Sequence, residues 1–101
     1  MRYNKLVRDK VPEIMRAKGI PSTTHTASAD EYWAKLKEKL KEEVQEFLLA
    51  DSEEEFADIM EVVEAMLESG KLGKVDVMRK KDLKKKERGS FSKRVILDET
   101  G

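Results

Sequence analysis

Two short runs of carboxylates stand out in this chain: Glu42-Glu43-Val44-Gln45-Glu46, then Glu55-Phe56-Ala57-Asp58 after a gap of eight residues from Glu46. Carboxylates converging from neighbouring elements repel unless protons or cations neutralise them. A set of hard oxygen donors suits Mg²⁺ or Mn²⁺ and offers nothing to softer metals. Acidic residues are abundant here, 21 in all, so a single Glu-x-x-Glu pair carries no information. The same residues on a solvated acidic face would do no chemistry. What separates the two readings is where each carboxylate sits around its helix.

On the segment before Ala50, Trp33, Leu36, Leu40, Val44 and Phe47 form one apolar stripe at helical spacing. Measured from the centre of that stripe, Glu43 falls about 60° away, Glu46 about 120° and Glu42 about 160°, at 100° per residue. The next segment has its stripe at Phe56, Ile59, Met60, Val62, Val63, Met66 and Leu67. There Glu55 lies about 60° and Asp58 about 120° from the centre, with Glu54 and Glu61 facing outward. Glu43 and Glu46 precede the intervening break by roughly 6–10 Å, and Glu55 and Asp58 follow it by roughly 4–9 Å. In an antiparallel hairpin these levels overlap, which brings Glu43, Glu46, Glu55 and Asp58 to one groove. Glu55 also fits a capping box with Ser52.

The elements that must position these groups can be read around them. Ser28-x-x-Glu31 opens a long helix to about Ala50, Asp51-Ser52 breaks it, and a second helix runs from about 53 to 69. A shorter helix is predicted over 10–18, with Asp9 as its cap, Pro12 in its first turn and Gly19 past its end. Another follows from a cap at Asp76 to about Arg88, where Gly89 stops it. The segment 20–27 reads as loop. Residues 3–7 and 90–97 have strand character and could pair, tying the ends together. The expectation is an all-α bundle of about four helices, built round a hairpin, with a small terminal β pairing.

The chain has 101 residues, which is the size of one domain spanning 1–101. With 39% hydrophobic and 42% charged residues, its core must be thin. Part of the apolar surface is therefore expected in a subunit interface, as a homodimer or larger oligomer. Cysteine is absent, which excludes disulfides, thiolate metal sites and cysteine nucleophiles. No apolar run could span a bilayer and no apolar signal region opens the sequence, so a soluble, cytoplasmic protein with no membrane partner is expected. The formal charge of zero hides segregation. Residues 1–29 are net basic, 30–68 hold fourteen acidic against four basic side chains, and 71–94 hold eleven basic against three acidic.

The carboxylate pattern and both flanks resemble the all-α nucleoside triphosphate pyrophosphohydrolases. That group includes the MazG-type house-cleaning enzymes and the phosphoribosyl-ATP pyrophosphohydrolases. The two runs look like the EExxE…ExxD signature of that group. Tyr3-Asn4-Lys5-Leu6-Val7-Arg8-Asp9-Lys10-Val11-Pro12 and Arg88-Gly89-Ser90-Phe91-Ser92-Lys93-Arg94 are similar to a small single-domain MazG-like branch. The resemblance implies Mg²⁺-dependent cleavage of a nucleoside triphosphate to monophosphate and pyrophosphate. It implies Glu43, Glu46, Glu55 and Asp58 as metal ligands, with Glu43 and Glu46 at the catalytic centre. The link between the two carboxylate runs is shorter than in many relatives, which bears on substrate identity. A phosphoribosyl-ATP pyrophosphohydrolase and a non-catalytic helical interaction module are the alternative readings.

Lys5, Arg8 and Lys10 at one end, and Arg88, Lys93 and Arg94 at the other, are the candidates for holding phosphate. Ordinary surface charge is the competing reading for each. The run Arg79–Arg88 is basic but has no interleaved aromatic residue to stack on bases, so a solvated face is expected and nucleic acid is not. His25 lies in the loop with no partner suggested nearby. Trp33 fits the core better than a base-stacking role, which Tyr32 could also serve. No glycine-rich phosphate loop and no G-x-S-x-G elbow occur, so P-loop and serine-hydrolase mechanisms are excluded.

Overall fold

The computed structural model describes residues 3–101, and they form four helices with no strand. The architecture is all-α: α1 (Val11–Ala17), α2 (Ala29–Ala50), α3 (Glu53–Glu68) and α4 (Lys74–Arg88). The chain divides into two compact units, the first running to Lys71 and the second from Leu72 to Gly101. No helix is long and apolar enough to cross a membrane.

The first unit is organised by the α2–α3 hairpin. Ser28 caps α2 by accepting a hydrogen bond from the Glu31 N–H, and Ser52 caps α3 by accepting from the Glu55 N–H. Between them Asp51 ends α2 in the left-handed region at φ +56°, and its N–H donates to the Phe47 carbonyl. This tight reversal sets Phe47 against Phe56, edge to face with ring centroids 5.2 Å apart. At the open end of the hairpin Lys71 donates to Asp30 and holds that carboxyl below its usual range. Leu36 and Val62 are the buried apolar residues, one from each helix.

α1 begins at Val11 and carries Pro12 in its first turn, where a missing N–H costs nothing. Asp9 does not cap it; the residue before the helix is Lys10, and no side-chain cap bond forms. In the second unit α4 starts three residues earlier than its sequence suggests, after Gly73, so Asp76 lies inside the first turn rather than capping it. Every residue of α4 is exposed except the half-buried Val77.

The predicted terminal β pairing does not form among the described residues. Asn4 takes φ +48°, which interrupts an extended run at its start. At the other end the chain turns instead of extending: the Arg94 N–H donates to the Phe91 carbonyl and Arg94 itself has φ +57°. An isolated strand leaves its backbone groups without a ladder, and neither segment has one.

Candidate metal centre

The hairpin brings Glu43 of α2 together with Glu55 and Asp58 of α3. One carboxylate oxygen from each lies within 4.8 Å of the other two. Their depths differ. Glu43 is only 6% exposed, while Glu55 and Asp58 are half-buried. Glu43 Oε1 pairs with Lys39 Nζ at 3.4 Å, one turn back along α2, but its Oε2 is buried and has no hydrogen-bond partner. Glu55 Oε2 is likewise buried and unpartnered, although the Glu55 backbone serves as the capped N–H of α3. The capping interaction and a place in the cluster therefore coexist at Glu55.

Burial pushes the Glu43 carboxyl above its usual range; Lys39 opposes this, and the negative charges of Glu46 and Asp58 add to it. Taking an ionised carboxylate out of water is expensive unless its lone pairs are satisfied. Two buried carboxylate oxygens without partners, on two members of a cluster made only of oxygen donors, are what a hard divalent cation would satisfy. These three residues could hold a metal ion of that kind.

The fourth expected ligand stands apart. Glu46 is exposed and does not join the three-carboxylate group, although it is close enough for its charge to act on Glu43. Glu42, expected on the far side of α2, is half-buried and pairs with Lys5 at 3.5 Å. Arg8 Nη2 donates to Asp58 Oδ1 at 2.9 Å. The segment before α1 thus lays two of the expected phosphate-binding cations beside the acidic runs. Lys10 is exposed and stands before α1, its carbonyl accepting from the Ile14 N–H.

Arg88, Lys93 and Arg94 belong to the second unit, where they line one surface concavity with Ser90, Phe91 and Ser92. Within it the Ser90 and Ser92 hydroxyls lie 3.0 Å apart. His25 has a partner after all: its Nε2 lies 3.0 and 3.1 Å from the two carboxylate oxygens of Glu31. Trp33 is half-buried, with Lys37 Nζ 5.8 Å from its ring centroid.

One relative can be named. Over 48 residues the chain is 52% identical to an uncharacterized protein of Mycolicibacterium smegmatis, a match covering 48% of this chain and 49% of that protein. The chain thus aligns with about half the length of this curated relative. No family model matches the chain. No solved structure matches it either.

Lys39 is the site residue that spacing alone could have flagged and that the carboxylate motif passes over. It lies four residues before Glu43, so the two share a helix face. The motif names acids, and the base that answers the deepest of them sits one turn upstream.

Proposed function

We propose that the chain is a divalent-cation-dependent hydrolase that cleaves a nucleoside triphosphate to monophosphate and pyrophosphate. The observation that carries its cation dependence is Glu43: a carboxylate almost wholly out of water, with one oxygen unpartnered, clustered with Glu55 and Asp58. The substrate and the bond cleaved rest on the sequence resemblance. Glu43, Glu55 and Asp58 would hold the cation, with Glu46 exposed at the rim. Such a cation, when bound, activates a water and stabilises a departing oxygen.

The chain's own cations supply the rest. Arg8 presents a planar guanidinium suited to bidentate contact with phosphate, and Lys5 a point charge. Their pairing with Asp58 and Glu42 keeps both next to the carboxylates until a polyanion competes for them. The absence of a P-loop motif removes the usual means of presenting a γ-phosphate. The resemblance to the all-α pyrophosphohydrolases favours attack at the α-phosphorus. Self-association belongs to the same proposal, supported by a stripe of α3 that the first unit leaves open, with Phe56 48% exposed and Met60 and Val63 also exposed.

A panel of standard, deoxy and modified nucleoside triphosphates, with phosphoribosyl-ATP among them, tests the reading by phosphorus NMR in the presence of Mg²⁺. Monophosphate and pyrophosphate should appear together, with no early inorganic phosphate. Diphosphate and inorganic phosphate as first products would overturn the pyrophosphohydrolase assignment. Turnover of phosphoribosyl-ATP alone would move the chain to the biosynthetic class. No turnover of any member would favour an interaction module, whose docking face would be the open stripe of α3.

A further inference from the structure

Lysine side chains usually trail their ammonium into water, yet Lys39 is only 26% exposed. Its ammonium stays at Glu43, whose own side chain is almost completely buried. Lys35 makes a similar intrahelical pair with Glu38, but that partner is well exposed. Of the ion pairs at Glu31, Glu38, Glu42, Glu43 and Asp58, that of Glu43 alone reaches a buried carboxylate, and an oxygen of that carboxylate lies within 4.8 Å of two others.

Three carboxylates this close need positive charge, and the chain supplies it from two places: Lys39 at Glu43 and Arg8 at Asp58. The two cations are held differently. Arg8 is well exposed and comes from a segment fifty residues away from Asp58, whereas Lys39 is tethered one turn from its partner on the same helix. A tether that short keeps its effective concentration at Glu43 high. A divalent cation bound to Glu43 would meet an ammonium already there, and the two would repel at a carboxylate that is itself largely out of water.

We infer that Lys39 is a built-in stand-in for the divalent cation: it neutralises Glu43 in the metal-free chain and is expelled from it when metal binds. The inference rests on the proposal that Glu43, Glu55 and Asp58 hold a divalent cation. It adds that the site's affinity is set by an internal competitor as well as by its ligands. The unpartnered Oε2 of Glu43 is an oxygen that Lys39 does not occupy and that a divalent cation would satisfy. The four-carbon stem of Lys39 lets the released ammonium swing to solvent without any movement of α2.

The test is direct binding on the full chain, with Mn²⁺ followed by electron paramagnetic resonance and Mg²⁺ by calorimetry, at fixed ionic strength. Lys39→Met keeps the stem and removes the charge; Lys39→Arg keeps the charge. Lys39→Met should bind at least about tenfold more tightly than the native chain, because the competing charge is gone. It should also melt lower than the native chain without metal, and lose that deficit when saturated. Lys39→Arg should bind like the native chain. Unchanged or weaker binding by Lys39→Met would overturn the inference and leave the metal site standing. Binding by Lys39→Met but not by the native chain would support it in its strongest form. No saturable binding by any variant would remove both.

A second measurement needs no variant and so survives a failure of Lys39→Met to fold. Acetylation of Lys39 in the native chain, resolved by mass spectrometry, should speed up severalfold when Mg²⁺ is added. Labelling that is unchanged or slower would overturn the release.

Discussion

The α2–α3 hairpin and α4 are both crowded with charge, but only one of them takes a charged group out of water. α4 holds eight basic and three acidic residues in fifteen, and all of them remain exposed. The hairpin buries Glu43, sets Glu55 and Asp58 against it, and leaves two carboxylate oxygens without partners. Charge density alone therefore says little about function. What marks a site is the cost of holding a charge where solvation is lost, because a fold retains that cost only if something offsets it.

The comparison can be broken at its apolar base first. Leu36 is 1% exposed and Leu83 of α4 is 51% exposed. Leu36→Ala should cost about 3 kcal/mol or more in urea unfolding, while Leu83→Ala should change stability by less than about 0.5 kcal/mol. Similar losses at the two positions would mean that α4 is packed in solution and that the contrast is false. Next comes activity. Glu43→Gln and Asp58→Asn should each lower turnover at least about a hundredfold, since each removes a charge and keeps the shape. Lys81→Gln and Lys84→Gln on α4 should leave it within a factor of about two, and Glu46→Gln should fall between. Equal losses at Glu43 and Glu46 would restore the fourth ligand.

A smaller effect concerns metal binding itself. Mg²⁺ should raise the melting temperature of the native chain by several degrees beyond a monovalent salt of equal ionic strength, by mass action on the folded state. Glu43→Gln should abolish that increment. The smallest effect is at the open end of the hairpin, where Lys71 lowers the Asp30 carboxyl. A depressed carboxyl contributes stability above its unfolded value and loses it as pH falls through the folded one. Asp30→Asn should thus be slightly less stable than the native chain at pH 7, and the difference should vanish at acid pH. A difference that persists there would assign the effect to packing.

The helices were legible because their signals are local. Ser28 and Ser52 each stand three residues before a glutamate whose N–H they accept, and the apolar spacing between Trp33 and Leu67 marks both arms of the hairpin. The depth of each carboxylate was not legible. A helical wheel puts the packing centre at the mean of the apolar residues, yet Phe56, Met60 and Val63 stay exposed on α3. The true contact line runs instead through Leu36 and Glu43 on α2 and past Val62 and Glu55 on α3. That shift buries Glu43 more deeply than its wheel angle implied, draws Glu42 inward and leaves Glu46 at the surface. The strand expectation failed for a related reason. Alternation makes a segment able to extend, but only a ladder partner makes it a strand.

The reversal at Asp51 and Ser52 also decides how the hairpin can breathe. Its backbone bond to Phe47, the serine cap and the Phe47–Phe56 ring contact all lie at that end, so the two arms are pinned there like the legs of a pair of tongs. Opening must then grow with distance from the pin. Glu43 sits about 12 Å along an arm of about 33 Å, so it feels roughly a third of any excursion at the tips. Amide exchange should accordingly run faster near Ala29 and Glu68 than around Phe47. The carboxylates thus lie in the third of the lever nearest the pin, where any excursion that breaks the Lys71–Asp30 pair at the tips would change their spacing least.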